Sequence, residues 1–232
     1  MRILCVADDK DNLVYSANAK EFYPDIDVVL GAGDLSLRYN EFIISIFNKP
    51  LYFVFGNHNL EHLKYYKGGK GKRIGTITEL VSNNVPYGGV SLEDSVVRDK
   101  KTGLIIAGLG GSIRYNKGKH QFTDRQMNSR IWKMAPRLFL NKLLYGRCLD
   151  ILVTHAAPLG FNDQGDPCHK GFASFLTFMD IFKPKYLLHG HVHLTDINAK
   201  RDVVYKQTKI INVYQSFVLE DENLGTRKKS RK

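Results

Sequence analysis

The sequence lacks the features that a secreted or membrane-spanning protein would need. No two of its three cysteines form a C-x-x-C pair, which argues against a disulfide framework and fits a reducing compartment. No stretch approaches roughly 18 consecutive apolar residues, so we expect no membrane partner. The first apolar run, residues 3–7, is short and leads into Asp8, Asp9 and Asp11, unlike a signal peptide. We therefore expect a cytoplasmic protein.

Acidic residues are scarce relative to basic ones: 34 Lys and Arg stand against 23 Asp and Glu among 232 residues, a net charge of +11. Ten of these eleven excess charges lie in two segments without acids, residues 64–73 and 226–232. The rest is close to neutral, so the net charge alone does not predict a nucleic-acid partner. With 43% hydrophobic residues and no linker or repeat, we expect one domain over 1–222 and a disordered basic tail over 223–232.

Short β-branched apolar runs that end in glycine or a polar residue predict buried strands. The five clearest runs are residues 2–7, 26–30, 50–55, 151–154 and 186–189. Helices expected at 12–22 and 36–47 separate the first three runs, which is the alternation of an α/β sheet covered by helices. Further strands are expected at 89–98, 103–109, 203–205 and 210–219, and further helices at 123–144 and 171–182. Pro136 should break or kink the helix that contains it.

Each of the five predicted strands is followed by residue types that bind metal ions. These residues are Asp8, Asp34, Asn57 with His58, His155, and His191 with His193. Because ligands bind beyond the carboxyl ends of strands in open α/β sheets, we expect the side chains to converge. Oxygen and imidazole ligands suit divalent ions such as Mn, Fe, Zn or Mg. One such residue alone is ordinary, but five in succession predict a metal centre.

In this order the segments resemble the calcineurin-like metallophosphoesterases, whose pattern is D-x-H, G-D, G-N-H-D/E, H and G-H-x-H. Gly56-Asn57-His58 together with Gly190-His191-Val192-His193 is the most specific part of the match. The resemblance spans residues 8–193, and residues 110–172 look more weakly like a branch of small, uncharacterised bacterial members. It implies a four-layer α-β-β-α sandwich of two mixed sheets flanked by helices. It also implies one or two divalent ions, with Mn, Fe, Zn, Ni and Mg as candidates.

The resemblance further implies a role for each matching residue. Asp34 would bridge two metal ions, and His58 would face the substrate as an acid or as a stabiliser of the transition state. The remaining ligands would be Asn57, His155 and His191 at one site, and Asp8 and His193 at the other. The implied reaction is hydrolysis of a phosphate mono- or diester by metal-activated water.

Lys10 departs from the pattern, because the family has a histidine at this position. An ammonium group cannot bind a metal ion. The Asp8 side of the centre could then be weak or empty, or Asp9 or Asp11 could replace the missing ligand. Alternatively, Lys10 could contact the substrate phosphate, or it could point to solvent beside a neighbouring acid. We predict that the metal ion on the Asp8 side binds more weakly than the other.

Asn59 also departs from the pattern, which has Asp or Glu there. A neutral amide should support a protonated His58 less and weaken its acid catalysis. Three further residues are candidate substrate contacts: Lys10, Arg114 and His169. By contrast, we expect His120 at the surface.

The leading prediction is a metal-dependent phosphoric ester hydrolase. Because Lys10 and Asn59 depart from the pattern, a catalytically weakened binding scaffold of the same fold is an alternative. A nuclease that uses the basic loop 64–73 is another, since Tyr65 and Tyr66 could stack on bases. We do not favour a nucleic-acid partner, and the sequence leaves the oligomeric state open.

Overall fold

The structure is a computed structural model that describes residues 1–66, 89–196 and 198–225. The first sheet contains β1 (Arg2–Ala7), β2 (Val28–Gly31), β3 (Leu51–Phe53), β4 (Val90–Ser91) and β13 (Gln215–Glu220). The second contains β5 (Ser95–Arg98), β6 (Ile105–Leu109), β9 (Ile151–Thr154), β10 (Tyr186–His189), β11 (Asp202–Tyr205) and β12 (Thr208–Asn212). A small third sheet pairs β7 (Ser112–Ile113) with β8 (Gln121–Phe122). The helices are α1 (Ala19–Phe22), α2 (Leu37–Phe47), α3 (Asp124–Tyr145), α4 (Ala173–Phe182) and a 3-10 turn at Leu63–Tyr65.

Both large sheets are mixed. The first has the order β13-β1-β2-β3-β4, in which only the β13 pairing is antiparallel. The second has the order β11-β12-β10-β9-β6-β5, with antiparallel pairings at its two edges and parallel strands at its centre. The parallel centres place the carboxyl ends of β1, β2, β9 and β10 where ligands bind in such sheets.

The alternation of side chains along each central strand explains the layers. In β1, Ile3, Cys5 and Ala7 face the second sheet, whereas Leu4 and Val6 pack against the side that carries α1 and α2. The second sheet likewise turns alternate residues inward and packs the others against α3 and α4. Each fully buried aliphatic side chain contributes roughly 1.5–3 kcal/mol. The predicted four-layer α-β-β-α sandwich is therefore confirmed.

The helix expected at residues 12–22 is much shorter than predicted, because only Ala19–Phe22 is helical. The carboxylate of Asp11 accepts hydrogen bonds from the backbone N–H groups of Leu13, at 2.7 Å, and Val14, at 3.3 Å. Such a local side-chain bond holds the backbone in a turn and competes with the helix.

The break expected at Pro136 does not occur. Pro136 lies inside α3, which runs without interruption over its 22 residues. Pro136 lies on the exposed side of the helix, where water can bond the carbonyl that loses its N–H partner. The helix begins with a capping box in which Thr123 and Gln126 bond each other's backbone N–H groups. It ends at Gly146, which has a left-handed φ of 77°.

The folded domain extends beyond the expected boundary at residue 222. Leu224 is buried in the core between the sheets, so residues 223–225 belong with the domain rather than with the tail. The rest of the tail, 226–232, and residues 67–73 of the basic loop lie outside the described residues. None of the helices in the described ranges combines the length and the apolar character needed to cross a membrane.

Candidate metal centre

The centre forms where the carboxyl ends of strands from both large sheets meet. Asp8 follows β1 and Asp34 follows β2 in the first sheet, whereas His155 follows β9 and His191 follows β10 in the second. Asp8, Asp34 and His191 have positive φ values of 66°, 56° and 67°. Such conformations are uncommon for residues with a side chain and cluster at functional sites. The strand ends therefore bring together four of the predicted ligands.

Two glycines allow the ligands to come this close. A Cβ atom on Gly56 would collide with the carboxylate of Asp34, and one on Gly190 would lie 2.6 Å from Oδ2 of Asp8. The absence of a side chain at both positions lets the backbone approach the carboxylates. This explains why glycine precedes Asn57 and His191 in the sequence.

His155 is fully buried at the middle of the centre. Its Nδ1–H donates to the carbonyl oxygen of Ala32 at 2.9 Å, which turns Nε2 towards two oxygen atoms. These are Oδ2 of Asp34 at 3.2 Å and Oδ1 of Asn57 at 3.1 Å. Three groups that offer electron pairs cannot face one another without a cation between them, so the position requires either a proton or a metal ion.

The charges around His155 agree with this arrangement. Burial alone would lower the pKa of His155, but the negative charge of Asp34 raises it to about 9. Burial alone would raise the pKa of Asp34, but His155 and the His58 N–H, which donates at 2.7 Å, hold it well below its ordinary range. A divalent ion would take the place of the proton that this strong pairing holds.

His191 is prepared as a ligand in its neutral form. Its Nε2–H donates to the carbonyl oxygen of Cys168 at 2.7 Å, which leaves the Nδ1 lone pair free. Burial and the positive charge of His155 lower the pKa of His191 to about 3. Ligand atoms of Asp34, His155 and His191 all lie within 4.8 Å of one another. The residues present on this side therefore fit a divalent cation.

The Asp8 side of the centre is held differently. Both carboxylate oxygens of Asp8 accept from the backbone N–H of His191, at 2.9 and 3.0 Å. Burial raises the pKa of Asp8 to about 6, although the nearby His155 charge opposes this. His193 stacks on the ring of Tyr214 at a centroid distance of 4.9 Å. Asp8, His193 and Asp34 are the predicted ligands of this side, and all three line the same cavity.

The residues that were candidates to replace the missing histidine have other partners. Asp9 accepts a hydrogen bond of 2.5 Å from the hydroxyl of Tyr214, and Asp11 accepts one of 2.5 Å from Ser216. Lys10 is exposed, and its ammonium nitrogen lies 5.1 Å from the centroid of the Tyr15 ring. Asp9 nevertheless lines a cleft with Asp8 and Asp34, so its carboxylate is close to the predicted ligands but is engaged with the Tyr214 hydroxyl.

A cavity of about 320 Å³ opens over the centre. Its lining residues are Asp8, Asp34, Asn57, His58, Asn59, Tyr115, Cys168, His169, His191 and His193. His169 bonds Asp166 at 2.9 Å, and its ring lies 5.1 Å from that of His191. Lys10 lines a neighbouring cleft with Asp8 and Asp34. Arg114 is absent from the cavity lining, because its guanidinium donates to Gln121 O and Gln126 Oε1.

Asn59 bonds to the loop that carries Asp34. Its Nδ2 donates to the backbone carbonyl of Asp34 at 2.7 Å, and its φ is 53°. The side chain thus secures the loop that carries Asp34 and His58. The exposed imidazole of His58 lies at the mouth of the cavity.

Sequence reasoning missed two groups that support the ligands. The first is Tyr115, whose hydroxyl accepts from Nδ2 of Asn57 at 3.4 Å and so leaves the Oδ1 atom facing His155. No pattern of residue types marks this tyrosine, although it follows Arg114 directly. Its position depends on how the segment after β7 returns to the centre.

The second group surrounds His120, and the prediction of a surface position for this residue is wrong. The His120 side chain is only 7% exposed, its Nδ1 lies 2.6 Å from the carbonyl oxygen of Gly56, and its Nε2 lies 3.5 Å from Glu93. Glu93 also pairs with Arg130 at 2.9 Å and accepts from the Phe55 N–H at 2.8 Å. This buried network holds the segment that leads to Asn57.

Oxygen and imidazole donors that converge beyond the strand ends of an α-β-β-α sandwich define a class of metal-binding proteins that includes hydrolases of phosphate esters. The profile of one family in this class, calcineurin-like phosphoesterase, matches residues 1–194. The chain belongs to the calcineurin-like phosphoesterase family, which supports a hydrolase in general.

One relative and two solved structures are similar to the chain. The UPF0046 protein K07C11.7 of Caenorhabditis elegans is 25% identical over 210 residues, which cover 83% of this chain and 63% of that protein. The chain thus spans less than two thirds of this relative. The structure of TT1561 of Thermus thermophilus aligns with a TM-score of 0.55 at 14% identity, covering 92% of this chain and 88% of that one. Another solved structure aligns with a TM-score of 0.58 at 14% identity, covering 92% and 90%. At these identities the two structures show the shared fold.

Proposed function

We propose that the chain hydrolyses a phosphate mono- or diester at this centre, with divalent metal ions as cofactors. The observation that carries the proposal is the convergence of His155 Nε2, Asp34 Oδ2 and Asn57 Oδ1, because these groups need a proton or a metal ion between them. Bound divalent ions supply Lewis-acid activation of water and neutralise phosphoryl charge. Asn57, His155 and His191 would hold one ion, Asp8 and His193 a second, and Asp34 both.

His58 is proposed as the group that meets the leaving oxygen of the substrate. Its backbone N–H is fixed to Asp34, while its imidazole lies exposed at the mouth of the cavity. A ring in this place can donate a proton to the leaving oxygen or stabilise the developing charge. His169 lines the same cavity and is proposed as a substrate contact. Lys10 and Arg114 stay candidate contacts that would need their side chains to turn.

We propose that the ion on the Asp8 side binds more weakly. Asp9 and Asp11 are engaged with Tyr214 and Ser216, and Lys10 contributes no electron pair. Fewer donors face this side than face the side of His155. We expect two ions per chain, one bound tightly and one bound weakly.

The test is an assay of purified protein with p-nitrophenyl phosphate and bis-p-nitrophenyl phosphate in the presence of Mn, Ni, Zn, Fe or Mg. The expected result is metal-dependent turnover of at least one substrate, lost in His58→Ala with little change in metal binding. The absence of turnover in both wild type and Lys10→His, although both bind metal, would defeat the proposal. Turnover only in Lys10→His would instead favour a natural scaffold.

A further inference from the structure

Helix α3 has apolar side chains on two opposite faces. One face packs against the second sheet and α4 through Met127, Ile131, Met134 and Leu138. The other carries Trp132, Phe139, Leu140, Leu143 and Leu144, which we call the α3 outer face. Residues three, four and seven apart share one side of a helix, so these side chains form a stripe in which Pro136 separates Trp132 from the other four. At its border, Phe139 also contacts the ring of Phe182 on α4, at a centroid distance of 5.5 Å. A helix that is apolar on both faces normally has both of them covered.

The α3 outer face is exposed in the folded chain. Leu143 is 82% exposed, Leu144 50% and Trp132 49%. The stripe provides five of the nine large exposed apolar side chains in the part of the chain that the structure describes. It also stands on a rigid support, because the helix is capped at both ends and packed along its inner face. Such a concentration of exposed apolar groups marks a binding surface.

The charged side chains that α3 itself places beside the stripe are all basic. By helical position, Lys133 and Arg137 lie along one edge of the stripe and Lys142 along the other. The only acid within α3 is Asp124, in its first turn, where its Oδ1 accepts from the Ser174 N–H. Trp, Phe and Leu flanked by Lys and Arg are the composition of helices that lie in the interface of an anionic membrane.

We propose that the α3 outer face binds the surface of a membrane that contains anionic lipids. The apolar side chains would enter the boundary between headgroups and acyl chains, and the three basic side chains would meet lipid phosphates. A second copy of this chain is a poorer occupant, because a two-fold pairing of α3 helices would bring the same basic edges together. Such a contact lies at the surface of the bilayer and needs no membrane-spanning segment. It is also separate from the cavity over the metal centre and does not depend on hydrolysis.

The chain contains its own probe for this contact. Trp132 is the only tryptophan in the sequence, and it lies on the proposed surface. Full-length protein should be mixed with vesicles of phosphatidylcholine alone and with vesicles of phosphatidylcholine and phosphatidylglycerol in equal parts. The expected result is a blue shift of tryptophan emission and co-sedimentation with the anionic vesicles alone, both reversed by salt. Equal binding to both vesicle types, or to neither, would overturn the proposal.

Substitutions separate the apolar and charged contributions. Leu143→Ser should weaken partition into anionic vesicles by about tenfold, because one exposed leucine no longer enters the apolar layer. Lys133→Gln with Arg137→Gln should weaken it by about 25-fold, at about fivefold for each charge. The matched control is Val204→Ser, which changes an apolar side chain that is 61% exposed on β11 and should leave partition unchanged.

Two further measurements keep the result interpretable. All the substituted positions are exposed, so each variant should retain the fold. Thermal unfolding of each variant checks this. Sedimentation velocity without lipid tests whether a second copy of this chain binds the α3 outer face instead. A Leu143-dependent dimer whose tryptophan emission follows protein concentration rather than lipid would overturn the proposal.

Discussion

The two sides of the metal centre differ in how their donors are held. On the side of His155, three donors are each fixed through their other polar atom, His155 by Ala32, Asn57 by Tyr115 and His191 by Cys168. On the Asp8 side, both oxygens of Asp8 themselves accept from the His191 N–H, the neighbouring acids bond to other residues, and Lys10 adds no donor. The number of nearby carboxylates therefore does not by itself define a metal site. Partners that fix the direction of each lone pair identify such a site better.

The largest expected effect comes from removing the carboxylate that we propose both sides share. Asp34→Asn should lower the hydrolysis rate by on the order of 10³-fold, because a neutral amide cannot balance the charges that meet there. Rates with a chromogenic phosphodiester and metal binding by calorimetry check this. Asp9→Asn is the comparison variant, since Asp9 is a neighbouring carboxylate that bonds the Tyr214 hydroxyl and is not among the predicted ligands, so it should retain more of the activity. Equal losses in both variants would contradict the distinction between a ligand carboxylate and a neighbouring one.

The next largest effect concerns the buried network of Glu93, His120 and Arg130, which holds the segment that leads to Asn57. Burial alone would raise the pKa of Glu93, but His120, Arg130 and the Phe55 N–H lower it from 4.5 to about 2. A lowered carboxyl pKa stabilises the fold above about pH 4.5, and this contribution is lost as the pH falls through about 2. Its size is about 3 kcal/mol at most.

Urea unfolding of wild type and Glu93→Gln between pH 6 and pH 2 checks this expectation. The difference between their unfolding free energies should shrink as the pH falls. Glu220→Gln is the control, because the Glu220 side chain pairs with Arg2 while 67% exposed and should show little pH dependence. If the difference in unfolding free energy stays constant between pH 6 and pH 2, Glu93 does not contribute the expected pH-dependent stability.

A smaller effect should come from completing the weaker side. Lys10→His offers an imidazole where the chain now has an ammonium, so the second metal ion should bind about tenfold more tightly or better. Calorimetric titration with Mn or Zn resolves the two binding steps. Lys20→His, on α1, controls for an added surface histidine. An unchanged second step in Lys10→His would mean that something other than the missing imidazole weakens this side.

The smallest effect tests a single supporting contact. Tyr115→Phe removes the hydroxyl that accepts from Asn57 Nδ2, so the amide loses one restraint on its orientation. The bond is long, at 3.4 Å, and we expect about a threefold loss of affinity for the first metal ion, below the usual range for such partners. Tyr65→Phe, outside the cavity lining, should leave this affinity unchanged.

The strands that carry the ligands could be predicted from the sequence because their apolar runs end abruptly. The run at 2–7 matches β1, and those at 151–154 and 186–189 match β9 and β10. Because β1 and β2 are parallel, Asp8 and Asp34 share one end of the first sheet, and because β9 and β10 are parallel, His155 and His191 share one end of the second. That these two ends lie against each other depends on how the sheets stack, which the local patterns alone do not give.

The supporting residues could not be predicted, because each acts across a long separation in the chain. Tyr115 lies 58 residues from Asn57, and His120 lies 64 residues from Gly56. Neither residue type nor spacing marks such contacts. The helix expected at 12–22 failed for another reason, since the Asp11 side chain bonds backbone N–H groups that a helix would use.

The position of the centre between two separately hydrogen-bonded sheets has a thermodynamic consequence. Asp34 and Asn57 come from the first sheet and its loops, whereas His155 and His191 come from the second. An ion held by all four would tie the halves of the sandwich together, much as a cross-link does. Any ion that binds only the folded chain raises its stability, by about 2.7 kcal/mol at a concentration 100 times the Kd. The same ligands that serve chemistry would thereby make folding depend on the supply of metal.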